Sequence, residues 1–140
     1  MSINHIKKVE FPDFGYQAII DFESWRVAVL KYYYDLIAEN IVNFQRHLLT
    51  DEVFVLINGS CNLYSAGTGE TPGVIEQAPM EKHKAYNVKK GVWHAHTLSE
   101  DAEVRIIENQ NTGVENSPVY PITDEIRNKI IELDLLNKKL

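Results

Sequence analysis

Gln45, His47 and Glu52 lie close together in the run Gln45-Arg46-His47-Leu48-Leu49-Thr50-Asp51-Glu52, and His94 and His96 follow a glycine in Gly91-Val92-Trp93-His94-Ala95-His96. A strand sends alternate side chains to one face, so Gln45 and His47 point the same way on an extended segment. Glu52 opens the next apolar run after the polar step Thr50-Asp51, and that run ends at the hairpin signal Asn58-Gly59. A glutamine, a histidine and a carboxylate thus converge from two neighbouring strands, and His94 brings a second imidazole from farther along. Two histidines and one carboxylate are the smallest set that holds a transition metal and leaves positions open for substrate. His96 shares strand parity with His94; it is either a general base or supporting residue deeper in the cavity, or an ordinary barrel histidine. Arg105 is the other candidate catalytic residue, because a guanidinium facing a cavity grips a carboxylate bidentately.

These residues need strands to position them, and the chain supplies many. Residues 16–21 and 25–34 read as strands, the second a long β-branched and aromatic run. Residues 35–40 hold at most one helical turn. Residues 41–48 and 52–57 form the core pair, and 60–65 return as the second arm of a hairpin. Residues 74–77, 82–88, 93–98 and 102–108 complete the strand series, with turn residues between them. In 52–57 both faces are apolar, as in a strand inside a sandwich or beneath a partner subunit. Gly67-Thr68-Gly69 is followed by no helix signal, so it is not a phosphate loop. Residues 109–121 are polar and irregular. Beyond them Thr123 caps a helix, with Asp124 and Glu125 in its first turn, Ile126, Ile130 and Leu133 at helical spacing, Ile131 and Leu135 alongside, and Lys138-Lys139 at its end. That helix packs either on the body of the domain or against a second copy.

Strands with turns every ~8–12 residues and no βαβ alternation predict an all-β fold, a closed antiparallel barrel or jelly roll with a C-terminal α-helix. The 140 residues form a single domain, with the barrel over about 16–108 and the helix over about 123–138. A net charge of -6 argues against a nucleic-acid backbone as partner and fits a cytoplasmic protein. No stretch approaches a membrane span of ~20 apolar residues. Residues 1–8 have no apolar core of a signal peptide. The single cysteine, Cys61, excludes an intrachain disulfide and reads as a small core residue. Trp93 has the opposite parity to His94 and belongs to the core or an interface, Arg46 has the wrong parity to join Gln45 and His47, and His5 and His83 belong to the surface. The surplus apolar surface of 25–34 and 52–57 predicts a homodimer.

The spacing of these residues resembles the cupin superfamily. The first motif of that family reads Gly, five residues, His-x-His, three or four residues, Glu, six residues, Gly. His47, Glu52 and Gly59 stand at matching positions, with Gln45 in place of the first histidine and Glu39 in place of the opening glycine. The second reads Gly, five residues, Pro-x-Gly-x-x-His, three residues, Asn. Gly91 and His94 match it, with His83, Lys89 and Leu98 in place of the first glycine, the proline and the asparagine. The segment Gly91-Val92-Trp93-His94 is also similar to that of the ureidoglycolate lyases. The cupin resemblance implies a jelly-roll barrel that holds one divalent metal (Zn, Ni, Fe or Mn) on Gln45, His47, Glu52 and His94. Gln45 is the departure, since an amide oxygen is usually a weaker ligand than imidazole for these ions.

Three function classes follow. One is a metal-dependent enzyme, of lyase or isomerase type, acting on a small polar carboxylate- or sugar-like substrate. The second is a non-enzymatic module that binds a sugar or similar ligand. The third is a metal-free isomerase or epimerase with His47 or His94 as base. No helix-turn-helix precedes the barrel, so a DNA-binding regulator is not expected.

Overall fold

The computed structural model describes residues 5–138; Lys139 and the start of the N-terminal segment read above lie outside the described residues. Ten strands run β1 Gly15–Phe22, β2 Trp25–Lys31, β3 Asn43–Gln45, β4 Glu52–Asn58, β5 Cys61–Ser65, β6 Glu76–Pro79, β7 Ala85–Val88, β8 His94–Leu98, β9 Glu103–Asn109 and β10 Val119–Pro121, followed by the helix α1 Asp124–Lys138. They form two antiparallel five-stranded sheets, one in the order β1-β2-β9-β4-β7 and the other β10-β3-β8-β5-β6. The expected jelly roll with a terminal helix is what the chain forms.

Strand parity sorts the side chains. Phe54, Leu56, Val104 and Ile106 of the first sheet and Cys61, Leu63 and Leu98 of the second are buried together between the sheets. Phe44, Tyr64, Trp93 and Ala95 point out of the second sheet and are covered by α1 through Ile130, with Ile126 and Leu133 half-buried beside it. Full burial of a large apolar side chain contributes ~1.5–3 kcal/mol. Thr123 Oγ1 accepts the Ile126 N–H at 3.2 Å and caps the helix as read from the sequence. The helix packs on the body of the domain, and Leu135 faces solvent.

Several boundaries shift. Residues 41–48 contract to β3 because its neighbour β8 pairs with it only through Gln45 opposite His94. Beyond Gln45 the backbone bonds to an irregular stretch instead, Arg46 N–H to Pro118 O and Leu48 N–H to Asn116 O. Residues 109–121 are not wholly irregular, since β10 pairs with β3. The outer face of β4, with Val53, Val55 and Ile57, is half-buried rather than buried, so only the Glu52, Phe54, Leu56 face belongs to the core. Gly59 sits at φ +71, and a Cβ there would come within 2.7 Å of the Ala102 backbone, so this hairpin position needs glycine.

Candidate metal centre

Three elements and one loop build the site. Glu52 is the first residue of β4 and has the inward parity of Phe54. His94 is the first residue of β8, and Gln45, directly opposite it on β3, shares its face. His47 comes from the chain just past β3, where its carbonyl accepts the N–H of Gly91 at 2.8 Å. Gly91 makes that turn at φ +82, a conformation suited to glycine. The first glycine position of the second motif is also left-handed, with His83 at φ +64.

His47 Nε2 and His94 Nε2 lie 3.1 and 3.0 Å from the same atom, Glu52 Oε1. All three side chains are buried, and their donor atoms fall within 4.8 Å of one another. The far side of each ring fixes where its proton sits. His94 Nδ1 is 2.9 Å from Val92 O, which only accepts, so Nδ1 carries the hydrogen. His47 Nδ1 is 2.7 Å from Ser117 Oγ, which in turn lies 3.2 Å from Asn116 Oδ1; with the Ser117 hydrogen on Asn116, Nδ1 is again the donor. A neutral imidazole has one N–H, so in that tautomer both Nε2 atoms turn a lone pair toward a carboxylate oxygen that is itself an acceptor. A cation relieves that arrangement: a second proton on each ring, or one metal ion serving all three groups. Metal-binding histidines show this same outward hydrogen bond from the non-ligating nitrogen.

The electrostatics agree. Burial works against charge on His47, but the hydrogen bond and charge of Glu52 outweigh it and raise the His47 pKa. Burial alone would push Glu52 up; the close approach of His47 and His94 instead holds its carboxyl well below the usual range. Gln45 donates its amide N–H to Ser117 O at 3.4 Å, which leaves the amide oxygen as its atom available to a cation.

The cluster lines a cavity of about 450 Å³, together with Gln45, His96, Ser117, Tyr16, Tyr33 and Asp35. His96 is where the strand parity put it. Burial, then the nearby charge of His94, lower its pKa to about 4, so it is neutral at physiological pH. Its Nδ1 is buried without a hydrogen-bond partner among the described residues. Arg105 is not at the site. It has the outward parity of Glu103 and Ile107, pairs with Glu103 at 3.5 Å, and lies 4.4 Å over the Phe11 ring. The expectation of a catalytic Arg105 is therefore corrected by strand register. Arg46 likewise points away, over Trp93.

The residue that the sequence reading missed is Glu108. It continues the inward row of Val104 and Ile106, is 6% exposed, and accepts the Tyr16 hydroxyl at 2.8 Å. Arg26 lies 3.5 Å from it. Burial, then the hydrogen bond and negative charge of Glu52, raise its pKa to about 7. The signal was available: a carboxylate at the end of an alternating apolar row.

No protein-family model matches this sequence, and no curated protein matches it. Its structure does match solved ones. A cupin-2 domain protein from Shewanella frigidimarina aligns with a TM-score of 0.50 at 19% identity, over 71% of this chain and 85% of that one. Pac13, a nucleoside dehydratase from Streptomyces, aligns at 0.55 and 9% identity, over 81% of this chain and 85% of that one. KdgF from Halomonas sp. aligns at 0.50 and 13% identity, over 76% and 89%. The fold is therefore that of the cupin superfamily. Among the described residues no helix is long and apolar enough to cross a membrane.

Proposed function

We propose that this chain is a metal-dependent enzyme of lyase or isomerase type that acts on a small polar molecule in the barrel. His47, Glu52 and His94 would hold one divalent ion of the Zn, Ni, Fe or Mn group, with the Gln45 amide oxygen as a fourth, weaker ligand. The observation that carries this reading is the convergence of two Nε2 atoms on one Glu52 oxygen in a buried cluster. A bound ion supplies Lewis acidity to a substrate carbonyl or hydroxyl oxygen. The Val92 carbonyl holds His94 in the tautomer that leaves Nε2 free, and Ser117 Oγ accepting from His47 Nδ1 would do the same for His47. Glu108, with a pKa of about 7, gives or takes a proton at its carboxyl near neutrality, and Tyr16 orients that carboxyl. Isothermal titration with each of the four ions tests the site; failure of all four to bind would move the reading to a metal-free binding pocket or acid/base site.

Glu108 also sets a pH dependence in metal-free protein. Its folded pKa of about 7 lies above the ordinary carboxyl value of 4.5. The folded state therefore binds this proton more tightly than the unfolded state. The contribution is fully present below the unfolded pKa and is lost as pH rises through about 7. Glu108→Gln removes that loss. Relative to the unaltered protein, the variant should gain about 1–3 kcal/mol between about pH 5 and 8.5, read by urea unfolding. An unchanged difference across that range would contradict the assignment.

We further propose that the chain works in the cytoplasm as a homodimer. Ile20, Phe22, Trp25 and Ile107 share the outer face of the first sheet and are each more than a third exposed, a contiguous apolar surface of the kind that marks an interface. Light scattering should give twice the 16.1 kDa chain mass; a monomer mass at micromolar concentration would reject the dimer.

A further inference from the structure

We infer that the ligand of the barrel cavity is a neutral, hydroxyl-bearing ring compound of the sugar or nucleoside class, and not a carboxylate or a phosphate ester. The inference rests on the reading of this cavity as the functional site and narrows it from small polar molecules to one charge class. The charges of the wall carry it. Asp35, Glu52 and Glu108 line the cavity, against one cationic chain, Arg26. With all three carboxyls ionised, a divalent ion on the histidine cluster would bring that balance to neutrality.

Arg26 is not free to receive an anion. Its Nε donates to Asp21 Oδ1 at 2.9 Å. Its Nη1 donates to Thr112 O at 3.3 Å and lies 3.5 Å from Glu108 Oε2. Each two-nitrogen edge of the guanidinium therefore contains an engaged nitrogen, and the fork that grips a carboxylate or phosphate is blocked. Arg105, which could have supplied one, faces out of the barrel. An incoming anion would meet like charge at the buried Glu52, at Glu108 where that carboxyl is ionised, and at the more exposed Asp35.

A polyol suits the same wall. Its hydroxyl hydrogens find acceptors in the carboxylates of Asp35 and Glu108, and its hydroxyl oxygens can accept from the Gln45 amide. Leu30, Leu36, Ile106 and the Tyr33 ring offer apolar surface for the C–H face of a ring. The cavity of about 450 Å³ lies in the ~300–1,000 Å³ range of small-molecule sites.

The test uses matched pairs: glucose with glucuronate, ribose with ribose 5-phosphate, and uridine with its 5′-monophosphate. Binding is measured by titration calorimetry and saturation-transfer NMR on metal-loaded and on chelator-treated protein. At least one neutral member should bind, and at least about tenfold more tightly than its charged partner. A charged member that binds as tightly as its neutral partner overturns the inference, as does the failure of every neutral member at about 10 mM. The two protein preparations separate the claims. A neutral preference in both leaves the ligand class standing even where metal fails to bind, whereas metal bound together with a charged preference overturns the ligand class alone.

Discussion

Replacing His47 with alanine should lower divalent-metal affinity by on the order of a thousandfold or more. Loss of an outer hydrogen-bonding partner alone costs about 10–100-fold, and loss of a ligand costs more. The substitution removes one of the two imidazole lone pairs that meet at Glu52 Oε1. Ser117→Ala tests the partner directly: it leaves the imidazole but removes the acceptor at 2.7 Å that fixes its tautomer, and should cost about 10–100-fold. Gln45→His should act in the opposite direction, since imidazole binds these ions more strongly than an amide oxygen. Titration calorimetry at fixed pH reads all three. Affinity should fall as pH drops, because protons compete for the Nε2 lone pairs. If His47→Ala and Gln45→His both leave affinity unchanged while the melting temperature confirms folding, the cluster is not a metal site.

Asp134→Ala should destabilise the protein by about 3–5 kcal/mol, lowering the melting temperature by roughly 10–20 °C. Asp134 lies on the face of α1 turned to the second sheet and is 8% exposed. Its Oδ1 accepts from Asn62 Nδ2 at 3.1 Å and Thr97 Oγ1 at 3.0 Å, and from the Tyr64 hydroxyl. Gln77 Nε2 donates in turn to that hydroxyl at 2.9 Å. Alanine would leave buried donors on two strands without their acceptor, and each such loss costs about 1–3 kcal/mol. Thermal unfolding followed by circular dichroism measures the shift. A change under about 1 kcal/mol would show that water replaces the carboxylate and that the helix is held by Ile130 and its apolar neighbours alone.

Much of the centre was legible because strand parity and spacing are local. Gln45, His47, Glu52 and His94 could be placed from alternation within short runs and from two glycine turns. Glu108 was equally accessible by parity, and the same test would have removed Arg105, which stands on the outward row. Tyr16 was harder, because an irregularity between Ala18 and Ile20 breaks the alternation of β1. Ser117 had no local signal. It lies in the polar stretch after β9 and meets His47 only because the Arg46 and Leu48 amides bond to that stretch. Asp134, between Leu133 and Leu135 in the helix, had no local signal either. Its acceptor role depends on Asn62, Tyr64 and Thr97, far away in sequence. The barrel and helix were predictable as types, but strand ends were set by partner length, as in β3.

The most direct measurement is elemental analysis of the full-length protein, purified without chelator and incubated separately with Zn, Ni, Fe(II) and Mn. Gln45, His47, Glu52 and His94 as ligands predict about one tightly held ion per chain for at least one metal, lost on His94→Ala. No retained metal in any preparation, or the same content in the unaltered protein and in His94→Ala, would contradict a metal centre on these residues.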